Sequence, residues 1–167
     1  MAMSPHIRRL RAAVGTELLI LPAVTGIVFD ERNRILLVRQ AEGGAWTAPG
    51  GAIEPEETPA DAVVREVWEE TGLHVEPMQI LGVHGGPACV VTYANGDRTS
   101  YVMTVFACEV RGGALQTTSD ETTDAAFVAR DDLPRYRTAT WVRHVLPRLY
   151  DRAAGASFEA PAWRPPL

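Results

Sequence analysis

The chain has 167 residues, close to the usual size of one domain, with 46% hydrophobic and 22% charged residues. At that length roughly 70% of the unfolded surface can be buried, so folding requires neither a disulfide nor a metal. The net charge of −5 excludes a general basic field for nucleic acid, so a polyanionic substrate must be met locally, by a bound cation or a few placed arginines.

In chain order, Met1 to Arg11 is polar and basic, without the apolar core of a signal peptide. No apolar run approaches the ~20 residues that span a bilayer, so no membrane association is expected and the expected location is the cytoplasm. The segment from Ile7 to Leu21 precedes the core and can pack on its own domain or on a second copy, in a homodimer. Leu18 to Phe29 is apolar and β-rich, interrupted by Pro22, and a polar turn leads to a second strand, Ile35 to Gln40. A loop from Ala41 to Pro49, containing Trp46, runs into the helix considered below. Further strands fit Met78 to Val83, Cys89 to Tyr93, Thr99 to Val110 and Ala125 to Ala129. The Asn95-Gly96 pair suits a type I′ hairpin turn, and Arg111-Gly112-Gly113 should end the long return strand. Trp141, Val142, Val145 and Leu149 recur at helical spacing, in a helix that Pro147 should kink or shorten. The tail from Phe158 is proline-rich and irregular. Strands on both sides of one helix, with a closing helix, predict an α/β sandwich around a mixed sheet. It forms one domain, with its core at about residues 18–153 and a tail over 154–167.

Cys89 and Cys108 each fall in an apolar run and read as buried free thiols. His6, His74, His84 and His144 are scattered, without the spacing of a zinc site.

The central helix carries the strongest signals. Thr58 can cap it, Pro59 suits its first position, Asp61 completes a capping box, and Gly72 can close it in the left-handed conformation. A helix over Pro59 to Thr71 is therefore predicted. Ala60, Val63, Val64 and Val67 form its apolar stripe. Glu66, Glu69 and Glu70 fall together in a separate sector, as neighbours three and four residues apart. Arg65, four residues before Glu69, can hold its rotamer. A solvated acidic face would have this look too, but crowding three like charges is unfavourable, and a hard divalent cation reverses that sign. The preceding Pro49-Gly50-Gly51 allows close backbone approach, and a carbonyl there can join the glutamates as a metal ligand.

At these residues the chain resembles the Nudix hydrolase family, whose signature is G-x5-E-x7-R-E-U-x-E-E-x-G-U, with U a bulky aliphatic residue. Gly51, Glu57, Arg65-Glu66-Val67, Glu69-Glu70 and Gly72-Leu73 fill every fixed position. The likeness covers about Ala23 to Pro134, and includes Trp46-x-x-Pro49, the strand at Ile35 to Arg39, and Asp120-Glu121 with the segment after it. Ala48 stands where relatives usually have a larger apolar residue, and Glu56 where they often have glycine.

The resemblance implies a Nudix-type α/β/α sandwich and a pyrophosphohydrolase in which water attacks phosphorus. Glu66, Glu69 and Glu70 would hold Mg²⁺, or Mn²⁺ in its place, with the Gly50 carbonyl as a further ligand. Glu57 and Arg65 would support the loop and orient the ligands rather than bind metal. The general base is either a glutamate of the signature or Glu121. Arg39 is a candidate for a substrate phosphate or for a surface ion pair. Trp46 is a candidate for stacking on a base or for a wedge under the glycine loop, and Gly51 is a further candidate for binding substrate. Tyr93, Tyr101 and Phe106 read as sheet core, and the loop His84-Gly85-Gly86-Pro87 as a border of the substrate pocket.

The implied substrates are small nucleoside diphosphate derivatives, such as nucleoside triphosphates, ADP-ribose, nucleotide sugars or dinucleotide polyphosphates. Pro87 lies near the offset seen in ADP-ribose-cleaving relatives, but loop lengths vary too much for it to decide. The acidic balance argues against a nucleic-acid polymer. The alternative is a catalytically silent Nudix-like module that binds a nucleotide for regulation; such modules commonly lose glutamates that this chain keeps.

Overall fold

The computed structural model describes residues 4–151 and 155–161, so the expected tail is seen only in part. The element order is α1 (Pro5–Val14), β1 (Leu18–Val28), β2 (Ile35–Gln40), β3 (Trp46–Thr47), α2 (Pro59–Thr71), β4 (Leu73–His84), β5 (Val90–Thr92), β6 (Arg98–Gly113), β7 (Thr122–Val128) and α3 (Thr140–Leu149). Short 3-10 turns cover Pro87–Cys89 and Arg130–Arg135.

The strands form two sheets. One is four-stranded and mixed: β1 runs parallel to β6, which pairs antiparallel with β4 and with β5. The other is three-stranded and antiparallel, in the order β3-β2-β7. Successive residues of β1 and β2 face opposite sides, and both sides are covered. Ala23, Ile27, Ile35 and Leu37 pack with Val142, Val145, Leu146 and Leu149 of α3. Val24, Val28, Leu36 and Val38 pack with Val63 and Val67 of α2. The α/β/α layering predicted from the sequence is the one observed.

Several local expectations change. β4 begins five residues before the predicted strand, because Pro77 sits at an irregularity of an edge pairing, where its missing N–H is tolerated. β6 continues through Arg111-Gly112-Gly113, since Leu73 and His74 pair with Gly113 and Gly112. Of the predicted Cys89 to Tyr93 strand, Val90–Thr92 is β5, while Cys89 ends a 3-10 turn and Tyr93 follows the strand. Asn95-Gly96 does not form a type I′ turn: Gly96 has φ 88°, but Asn95 does not share the positive φ that this turn needs. The Gly96 amide donates to the Tyr93 carbonyl and the Tyr93 amide to Asp97, a longer loop with glycine at its left-handed position.

Pro147 does not shorten α3, which runs through it to Leu149. The carbonyl deprived of its partner belongs to Arg143 on the exposed face, where water can serve it, while buried Trp141, Val142, Val145, Leu146 and Leu149 hold the helix down. The N-terminal segment, for which no helix was predicted, forms α1 and packs on its own domain. Its buried Arg11 donates to the carbonyls of Gly15, Glu17 and Arg98 and to the Thr99 hydroxyl, and pairs with Asp97 at 3.6 Å. Cys89 and Cys108 are buried and unbridged, and no helix among the described residues is long and apolar enough to cross a membrane.

Candidate active site

The helix α2 has the predicted bounds and caps. The Thr58 hydroxyl accepts from the Asp61 amide at 3.1 Å, and Gly72 closes the helix in the left-handed region at φ 70°. Val63 and Val67 of the predicted stripe are buried and Val64 packs against the same core, but the buried face is shifted toward the acidic sector. Ala60 is exposed, whereas Ala62, Val63, Glu66, Val67, Glu70 and Thr71 are buried. The stripe and the acidic sector thus overlap: the first contact of α2 with the sheets is apolar, and the edge of that contact is carboxylate.

The loop before α2 explains why. It lies along the free edge of β1, with Val24 and Gly26 amides donating to the carbonyls of Gly51 and Pro49. A Cβ at Gly50 would stand 2.2 Å from the Val24 carbonyl oxygen, so only glycine permits this approach. The loop backbone then faces the helix: the Gly50 amide donates to Glu70 at 3.2 Å, and Gly51 lies against the Glu66 carboxylate.

The glutamates differ in environment. Glu66 and Glu70 are only 5% and 2% exposed, while the Glu69 side chain is 47% exposed. Burial pushes the Glu66 carboxyl up to about 7, against the Arg65 hydrogen bond, with the charges of Glu69 and Glu121 adding to the rise. Burial and the Glu66 charge push Glu70 well above the usual carboxylate range, opposed by the Gly50 amide. Arg65 joins the set together: it bonds Glu57 through two nitrogens at 2.8 and 2.9 Å, Glu66 at 2.7 Å and Glu69 at 3.1 Å. That pairing holds Glu57 below its ordinary pKa and raises Arg65. Glu57 also accepts from the Glu54 amide, so it braces the loop.

Glu121 comes from a different part of the chain. The Thr122 hydroxyl donates to the Glu70 carbonyl at 3.2 Å, and Ala41 N–H donates to the Glu121 carbonyl. These bonds set Glu121 beside α2, where its charge acts on both buried glutamates. Gly50, Gly51, Glu70 and Glu121 line one side of a cavity of about 500 Å³, within the usual range for small-molecule sites of about 300–1,000 Å³. Tyr93, Tyr101, Arg137 and Trp141 line other parts of it.

Arg39 and Trp46 are not in that lining. Trp46 sits edge-on to Tyr136, with ring centroids 5.1 Å apart, packed against the core. Arg39 and Arg137 both reach the space beside Gly44, and of the two it is Arg137 that lines the cavity. Tyr101 of β6 and Tyr93, in the loop after β5, are cavity wall, joined by a 2.6 Å hydroxyl contact, whereas Phe106 is core. None of His84, Gly85, Gly86 and Pro87 is in the cavity lining, which the next residues, Ala88 and Cys89, do join; buried His84 is bonded instead to Ser157 and Glu159 of the tail. Nothing in the sequence singles out Arg137 among its arginines, and Trp141 is masked by its helical apolar spacing.

Among the described residues, no group of three His, Cys, Asp or Glu side chains encloses a cation as the side chains stand. The donor chemistry nevertheless fits one. Two carboxylates are held out of water against each other, with one amide or guanidinium donor each, and a third side chain stands next to them at the rim. A hard cation would offset the penalty that burial and mutual repulsion impose.

A family model described as "NUDIX domain" matches residues 19–149. A MutT-like protein of Streptomyces ambofaciens is 40% identical over 111 residues, covering 66% of this chain and 65% of the relative. An ADP-ribose pyrophosphatase of Methanocaldococcus jannaschii is 35% identical over 116 residues, covering 68% and 64% respectively. The chain therefore spans just under two thirds of the length of these relatives. Among solved structures, a MutT protein from Methanosarcina mazei Go1 superposes with a TM-score of 0.67 at 26% identity, covering 81% of this chain and 96% of that one.

Proposed function

This chain belongs to the Nudix family, and on that premise we propose that it is a divalent-metal-dependent pyrophosphohydrolase of a nucleoside diphosphate derivative. The observation that carries the reading is the placement of Glu70, Gly50, Gly51 and Glu121 on one side of a nucleotide-sized cavity, with Glu66 packed behind Gly51. A relative of this chain is named an ADP-ribose pyrophosphatase, which is the class of substrate that such a cavity suits.

In this reading Glu66, Glu69 and Glu70 hold Mg²⁺, or Mn²⁺ in its place, and the Gly50 carbonyl is available as a further ligand. The chemistry supplied by that cation when bound is neutralisation of the diphosphate and a lowered pKa for water. The chain does the rest by positioning, since phosphoryl chemistry needs little covalent help. Arg65 fixes Glu66 and Glu69, and Glu57 fixes Arg65. Arg137, with Arg39 beside it, gives the cavity a cationic edge for the substrate's phosphates. The proton of the attacking water passes to a carboxylate, either Glu121 or a glutamate of α2.

The test is a panel of ADP-ribose, nucleotide sugars, nucleoside triphosphates and dinucleotide polyphosphates with Mg²⁺, with products identified by mass. Release of two phosphate-bearing products is expected. Tight binding without turnover of any member would overturn the reading in favour of a silent nucleotide-binding module.

A further inference from the structure

A second cavity, of about 260 Å³, lies beside the first. One of its walls is α1, which precedes the residues matched by the family model. Ile7 and Arg11 of α1 face Leu21, Tyr93 and Tyr101 across it. Glu42, Tyr93, Ala94 and Tyr101 line both cavities, so the two meet along these residues.

We propose that this second cavity receives the nucleobase of the substrate, a neutral planar heterocycle, while the diphosphate lies at the carboxylates, and that α1 is the element that selects it. The proposal rests on the hydrolase reading above for the position of the diphosphate.

The chemistry of the walls excludes the other parts of a nucleotide. An anionic group is disfavoured, because the Arg11 guanidinium is already committed to the Gly15, Glu17 and Arg98 carbonyls, the Thr99 hydroxyl and Asp97. The remaining charged groups there, Glu42 and Asp97, are acidic. A sugar needs a polar partner for nearly every hydroxyl, yet much of the wall is the side chains of Ile7 and Leu21 and the two tyrosine rings. A flat ring suits those surfaces, and its N–H groups would meet acceptors at Glu42, Asn95 and Thr99. Arg11 is the positioning residue of this arrangement. By tying α1 to Arg98 and Thr99 it fixes Ile7 over the cavity and holds the β5–β6 loop in place.

The experiment is a titration of the wild-type chain, labelled at Ile and Leu methyl groups, with adenosine, guanosine, cytidine and uridine, followed by NMR. The expected result is saturable shifts of the Ile7 and Leu21 methyl signals with at least one nucleoside. In a folded Ile7→Trp variant, whose indole fills the cavity, the Leu21 response should weaken by about tenfold or more. Absence of any saturable shift at Ile7 and Leu21 overturns the proposal, as does unchanged nucleoside affinity in the folded variant. If the variant does not fold, the wild-type titration decides alone. Because nucleosides carry no phosphate, their binding is independent of turnover. Turnover of the nucleotide panel without these shifts removes the base site and leaves the hydrolase reading; shifts without turnover do the reverse.

Discussion

A Cβ on Gly51 would stand 2.5 Å from Oε1 of Glu66, so the absence of a side chain at one residue is what makes room for the carboxylate of the other. The two neighbouring glycines therefore fail differently when changed. At Gly51 the obstructed atoms are the end of a side chain, which can swing away. At Gly50 the obstructed atom is the Val24 carbonyl oxygen of β1, which cannot. Gly51→Ala should keep a melting temperature within a few degrees of wild type but need much more Mg²⁺ for half-maximal turnover. Gly50→Ala should lose on the order of 3 kcal/mol of stability in urea unfolding. Equal stability losses in both variants would contradict this division.

Glu70 is 2% exposed, and its carboxylate accepts from the Gly50 amide. Without a cation, the folded protein bears the cost of a buried charge or of the proton needed to cancel it. Glu70→Gln removes that charge while keeping an acceptor for Gly50. In chelator the variant should be more stable than wild type, by on the order of 1 kcal/mol. Added Mg²⁺ should raise the melting temperature of wild type and not that of the variant. Differential scanning calorimetry in both conditions checks each half.

Glu69 is the exposed member of the set, and it pairs with Arg65 at 3.1 Å. Glu69→Gln should abolish turnover without altering the melting temperature, because little packing depends on it; near-normal activity with Mg²⁺ would sink the assignment. Arg65→Lys should be intermediate. A lysine ammonium cannot reproduce the two-nitrogen contact with Glu57 while also reaching Glu66 and Glu69. A loss of about 10–100-fold in activity or metal affinity is expected, as for other residues that orient metal ligands.

Glu56 has φ 69°, in the left-handed region that favours glycine, and its side chain is exposed. A side chain there costs roughly 1–2 kcal/mol, part of which glycine returns through the greater freedom of the unfolded chain. Glu56→Gly should therefore stabilise the protein by up to about 1 kcal/mol, seen as a higher urea midpoint at unchanged slope. The same position was the one departure from the family pattern inside the signature loop, and the backbone gives its physical meaning.

The sequence by itself determined the helix and its contents. Thr58, Pro59 and Asp61 start α2, Gly72 ends it, and these are local hydrogen-bond and dihedral requirements that no distant contact needs to supply. The burial of β2 and of the second half of β1 on both faces was likewise legible as apolar runs. Other features depended on partners remote in the chain. The start of β4 and the end of β6 are decided by pairing with each other, over residues that look like loop when read alone. The burial of Glu66 and Glu70 instead of Ala60 follows from the loop at Pro49 to Gly51 lying along β1, which no helical period encodes. Arg137, Tyr93 and Tyr101 reach the cavity, and Arg11 ties α1 beside it, only because the chain returns there from both ends. Residue spacing set what α2 carries; the path of the rest of the chain set which of its carboxylates lose water, and that burial is the feature from which cation binding is proposed.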